Sequence, residues 1–186
     1  MKKTVLSAAL AAALAVPVSS HALIHVFKAN MDAAQEAAVF PGVSSPGLGT
    51  ASLIFDDAVN QFVLNMAGGG LTSGITNAHI HRGAAGVGGP AIFTLFGLPE
   101  FVGAGQTFFF MDLGASDFPA ADVANLLAGN TYINIHTSNF TSGEIRGQLI
   151  SQVVAQPIPE PETYALMLAG LGLVGWMARR RMKVGV

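Results

Sequence analysis

Ala51-Ser52-Leu53-Ile54-Phe55, then Asp56-Asp57, then Gln61-Phe62-Val63-Leu64-Asn65-Met66 is the stretch on which the fold class turns. Two short apolar and aromatic runs flank a pair of aspartates, which is the composition of a strand, a turn and a returning strand. The same grammar recurs outward. A first strand is predicted over 23–29, and others over 75–81, 91–96, 106–111, 131–137 and 144–150, with glycine-bearing connections between them. Seven or eight short strands predict an all-β protein, a Greek-key-like antiparallel β-sandwich, rather than an α/β fold. One short helix interrupts the pattern. Ser116 or Asp117 is placed to cap it and Pro119 suits its first turn. Val123, Leu126 and Leu127 form its apolar face, and Gly129-Asn130 ends it.

The two ends of the 186-residue chain have a different character. Met1-Lys2-Lys3 precedes an uncharged Ala/Leu-rich run, and Ser20 and Ala22 flank His21 in a small-x-small pattern. That order predicts a signal peptide over 1–22, removed by signal peptidase after Ala22. At the other end Pro159-Glu160-Pro161-Glu162 cannot continue a helix. An uncharged run from Thr163 to Ala178 follows, and then Arg179-Arg180-Arg181. The reading is a domain over 23–150, a linker over 151–162, a transmembrane helix over 163–178 and a basic cytoplasmic tail over 179–186. The basic cluster keeps the tail inside and leaves everything before it outside.

Charge and chemistry narrow the function classes. The chain has nine basic and eleven acidic residues, but between the ends only Lys28, Arg82 and Arg146 are basic. An acidic body of this kind disfavours nucleic acid as a partner. Cysteine is absent, which excludes disulfides, a thiol nucleophile and a thiolate metal site. No Gly-x-Ser-x-Gly elbow, His-Glu-x-x-His helix or phosphate loop is present, so the sequence reads as a non-enzyme.

Two strands carry the polar residues of interest. In Asn77-Ala78-His79-Ile80-His81, alternation puts Asn77, His79 and His81 on one face and Ala78 and Ile80 on the other. In Tyr132-Ile133-Asn134-Ile135-His136 the same rule groups Tyr132, Asn134 and His136. If the strands are neighbours, His79, His81 and His136 converge and can share a copper or zinc ion. The same histidines can instead join strands structurally, tying down the loops around Arg82-Gly83 and residues 86–90, or face a peptide or glycan. No motif calls for any other cofactor. In Gly143-Glu144-Ile145-Arg146-Gly147-Gln148-Leu149, Glu144, Arg146 and Gln148 share a face opposite Ile145 and Leu149. Arg146 is suited there to a structural ion pair with Glu144 or Glu36.

These two long motifs, in this order, closely resemble the CHRD domain, as do Gln35-Glu36 and Gly49-Thr50-Ala51 near the start. The resemblance implies an extracellular β-sandwich. The tail, with Pro159-Glu160-Pro161, an apolar span and Arg179-Arg180-Arg181, resembles the PEP-CTERM sorting signal. That resemblance implies an exosortase-type membrane enzyme acting near residues 159–161, in a Gram-negative bacterium that makes extracellular polysaccharide or biofilm. It also implies an inner-membrane-anchored precursor with the domain in the periplasm, and then a cell-surface or matrix product. The His-x-His strand has a weak likeness to the copper site of copper–zinc superoxide dismutases, whose disulfide cysteines and zinc loop are missing here. The expected function is that of an exported, non-enzymatic surface or matrix protein associating with polysaccharide or an envelope protein. The alternative is a copper- or zinc-binding, redox-related protein.

Overall fold

The structure, a computed structural model, describes residues 23–111, 115–152 and 161–183. The predicted signal peptide over 1–22 lies outside the described residues, as do Pro159 and Glu160. The chain divides at residues 153/154 into two compact units.

The first unit is built from β1 (Ile24–Asp32), α1 (Ala33–Ala37), β2 (Leu48–Asp56), β3 (Gln61–Gly69), β4 (Ile75–Arg82), β5 (Ala91–Thr94), β6 (Phe101–Ala104) and β7 (Thr107–Met111). It continues with β8 (Ser116–Asp117), a 3-10 turn (Ala120–Asp122), α2 (Val123–Leu127), β9 (Thr131–Thr137), β10 (Ile145–Gln148) and β11 (Ile150–Gln152). The hairpin read from the sequence is present. β2 and β3 pair in unbroken register from Leu48↔Gly69 to Asp56↔Gln61. Asn60 takes a left-handed φ of 57° to turn the chain. Alternation buries Ala51, Leu53 and Phe55 on β2 and Phe62, Leu64 and Met66 on β3.

All strands are antiparallel, in the order β5-β4-β9-β10-β1-β2-β3-β7-β6, with β11 on β1 and β8 on β3. The chain thus runs a three-strand meander, crosses to the far end at β4, and returns through β9 and β10 to the open side of β1. The expected antiparallel all-β architecture is there, but its facing layers are halves of one continuously hydrogen-bonded sheet curled into a half-barrel. β1 joins the halves, pairing along its length with β2 on one side and with β10 and β11 on the other. The curl brings Phe62 of β3 edge-on to Phe93 of β5 at 5.1 Å between ring centres. Phe118 packs against both Phe55 and Phe62. One apolar core fills the concave side.

The helical expectations need revision. Ser116 and Asp117 do not cap a helix; they pair with Phe62 and Gln61 as β8. The helical turn begins after Pro119, Leu126 is buried, Leu127 is exposed, and Gly129 at φ 73° ends it. A second short helix, α1, was not predicted. Its cap is Asp32, whose carboxylate accepts the Gln35 N–H at 2.8 Å.

The second unit contains α3 (Pro161–Lys183). Among the described residues no helix is long and apolar enough to cross a membrane. This overturns the transmembrane helix predicted over 163–178 and, with it, the inner-membrane-anchored precursor. The physical reason lies in the sequence of α3. Glu162 at one end and Arg179, Arg180, Arg181 and Lys183 at the other leave only Thr163 to Ala178 uncharged. At about 1.5 Å per residue that run falls short of roughly 30 Å of hydrocarbon. Arg180 instead sets its guanidinium 4.6 Å from the centre of the Trp176 ring.

Candidate metal centre

β4 and β9 are direct neighbours, with His79 opposite Asn134, His81 opposite Tyr132 and Asn77 opposite His136. The alternation is as predicted. Ala78, Ile80, Ile133 and Ile135 enter the core, and the histidines take the other face. That face is not left to water. All seven residues of β9 are buried, because loops and α1 form a lid of polar contacts over it.

Each part of that lid is tied down by a named bond. Arg146 of β10, itself 1% exposed, donates to the carbonyls of Ala84 and Val87 and to Gln148 Oε1. Its guanidinium also lies 3.4 Å from the centre of the Tyr132 ring. Gln148 donates to the carbonyls of Gly83 and Gly129. Gly89 N–H donates to the Tyr132 hydroxyl, and Asn134 Nδ2 donates to Glu36 Oε2 of α1. Gly89 has no room for a side chain, since a Cβ there would meet the Arg82 carbonyl oxygen at 1.7 Å.

Under this lid the three imidazoles converge. One ligand atom from each of His79, His81 and His136 lies within 4.8 Å of the others. His79 Nδ1 and His136 Nε2 are 3.2 Å apart. His81 Nδ1 lies 2.9 Å from the Gly89 carbonyl oxygen, and His136 Nδ1 lies 2.9 Å from that of Thr141. A carbonyl only accepts, so both Nδ1 atoms carry their protons and both Nε2 atoms present lone pairs. His81 Nε2 is buried with no hydrogen-bond partner. Its ring stacks on Tyr132 at 4.9 Å with 12° between planes.

Burial holds the cluster neutral. It pushes His81 down to about 4 and lowers His136, and it lowers His79 with help from the neighbouring His136. Neutral imidazoles whose second nitrogens are fixed by carbonyls are the form in which histidine binds transition metals. The residues therefore fit such an ion, and the orphaned Nε2 of His81 is the atom with most to gain from one.

Glu144 and Arg146 are both buried, yet they serve different partners. The Glu144 carboxylate accepts from Ser45, from Thr72 through both N–H and Oγ1, and from Thr137. Arg146 is held by carbonyls, as described, and among the described residues its hydrogen bonds go to no carboxylate, although Glu36 is near enough to act on it electrostatically. Of the sorting residues, Pro161 opens α3 and Arg179 and Arg180 lie within it. Sequence reasoning missed the carbonyls of Gly89 and Thr141, which no residue type advertises, and the pairing of Glu36 with Asn134.

No curated protein and no solved structure matches the chain. The PEP-CTERM protein-sorting motif matches residues 157–181, so the chain carries an exosortase-recognised sorting signal, which supports export and processing. The CHRD domain model matches residues 27–149, more than half of the chain, which therefore belongs to the CHRD domain family of structural, non-catalytic modules.

Proposed function

We propose that this chain is an exported, non-enzymatic protein whose CHRD domain holds one copper or zinc ion on His79, His81 and His136. The observation that supports this reading is the convergence of three neutral imidazoles, two of them aimed by backbone carbonyls. Titration of an untagged 23–152 fragment with copper and zinc tests it. The expected result is one tight equivalent per domain, lost in an H79A/H81A variant, with thermal stability rising with metal concentration. No binding of either metal would sink the reading.

The sorting motif favours a second, compatible reading of where this happens. After signal peptidase removes residues 1–22, an exosortase-type enzyme acts near Pro159, Glu160 and Pro161. The product then serves at the cell surface or in an extracellular matrix, in contact with polysaccharide or an envelope protein. The mature form is expected to begin at Leu23 and to lack Arg179, Arg180 and Arg181. Intact mass of material recovered outside the cell checks both ends.

A further inference from the structure

We infer that the ion this cluster selects is copper(I), held by His79, His81 and His136 as a neutral three-nitrogen site with no protein anion. The inference rests on the metal reading above and makes it specific.

The charge of the site favours a monocation. Among the described residues the convergent group contains three histidines and no carboxylate. The outer partners of His81 and His136 are backbone carbonyls, not Asp or Glu. Among the described residues the three buried carboxylates have other partners: Glu144 has three hydroxyl side chains and an N–H, Asp122 has Arg82 and Asn125, and Glu36, through Oε2, has Asn134. A positive charge is packed beside the site. Arg146 and His81 both stack on the Tyr132 ring. The cost of placing an ion in such a space grows with the square of its charge, so a dication costs about four times as much as a monocation.

The number of donors favours the same ion. Zinc takes four ligands and copper(II) a tetragonal set, so either ion would need a fourth donor from outside the protein. Copper(I) is satisfied by three. Metal–nitrogen bonds of about 2.0–2.1 Å place neighbouring donors of a trigonal site roughly 3.5–3.6 Å apart. The 3.2 Å between His79 Nδ1 and His136 Nε2 is close to that span already. His79 is the ligand that must adjust, exchanging its hydrogen bond to His136 for the metal. His81 and His136 are already aimed.

The full-length untagged chain tests this by competition in three series, with a chromophoric copper(I) chelator under anaerobic reducing conditions, a zinc indicator, and a copper(II) chelator in air. The expected result is one copper(I) per chain, held at least about 100-fold more tightly than zinc(II) or copper(II). Asn77→Asp supplies a check on the charge argument that does not depend on losing a ligand. Asn77 sits opposite His136, and its Oδ1 accepts the Ala78 N–H, which an aspartate can also do. The added anion is expected to narrow the copper(I)-over-zinc ratio by about tenfold. Zinc binding as tightly as copper(I), with a proton released as water ionises to fill the fourth position, would overturn the copper(I) assignment and leave the metal reading standing. An unchanged ratio in Asn77→Asp would overturn the charge argument. No binding of any of the three ions would overturn both readings together.

Discussion

Glu36 and Asn134 carry two buried oxygens, Oε1 and Oδ1, that have no hydrogen-bond partner, while Asn134 Nδ2 donates to Glu36 Oε2 at 3.2 Å. A Cβ at Gly143 would lie 2.6 Å from Glu36 Oε1 and 2.5 Å from Asn134 Oδ1, so both face the same glycine. A proton on Glu36 Oε1 can be donated to Asn134 Oδ1, closing a two-bond acid–amide ring that satisfies both. Burial pushes the Glu36 carboxyl above its usual 4.5, against the pull of Asn134 and Arg146. The folded state then holds a proton that the unfolded chain releases, so this contribution is full below pH 4.5 and is lost as pH rises through the folded value. Glu36→Gln keeps the two-bond ring without the proton. It is expected to stabilise the domain by about 1 kcal/mol at pH 8 and to have little effect at pH 4.5, as read by urea unfolding. Equal effects at both pH values would contradict a protonated Glu36. The histidines have the opposite sign. Their folded values are depressed, so the stability they contribute is full above pH 6.5 and is lost as pH falls toward about 4 for His81. Metal-free H79A/H81A protein should show a flatter melting temperature between pH 6.5 and 4 than the parent.

At the scale of elements, the lid and the strands beneath it depend on different chemistry. β9 is aligned by its apolar face, but residues 83–90 are held by polar bonds radiating from Arg146 and Gln148. Arg146→Gln removes the two donations to Ala84 and Val87 and is expected to cost about 2–4 kcal/mol. Because Gly89 in the same loop aims His81, the variant should also bind metal more weakly, even where it remains folded below its melting point. Circular dichroism melts and metal titration check the two effects separately. The strands themselves were legible in the sequence, since alternation is a property of a few consecutive residues. α1 was not, because five residues are too few to show a helical period; its signal was Asp32 three residues before Gln35, a cap pattern at the end of a strand. The reading of α3 as membrane-spanning failed because the arginines that mark a sorting tail also cut its apolar run short.

For the whole molecule, the division at residues 153/154 separates a folded body from the region that carries the sorting motif. Glu160→Ala, or replacement of Arg179, Arg180 and Arg181, should therefore leave the melting temperature of the 23–152 fragment's fold unchanged in the full chain while unprocessed precursor accumulates. Unaltered mature mass in both variants would count against the sorting assignment. The sequence alone determined which side chains share a face on each strand, that no thiol chemistry is available, and that the tail carries a sorting signal. Those properties are local: they follow from covalent order and a two-residue period. Only the tertiary structure decided that β4 lies beside β9, that the two layers form one sheet through β1, and that the carbonyls of Gly89 and Thr141 aim two imidazoles inward. Strand pairing is chosen by contacts between residues far apart in the chain. The neutrality of the histidines likewise comes from a lid whose parts meet only when the chain has folded.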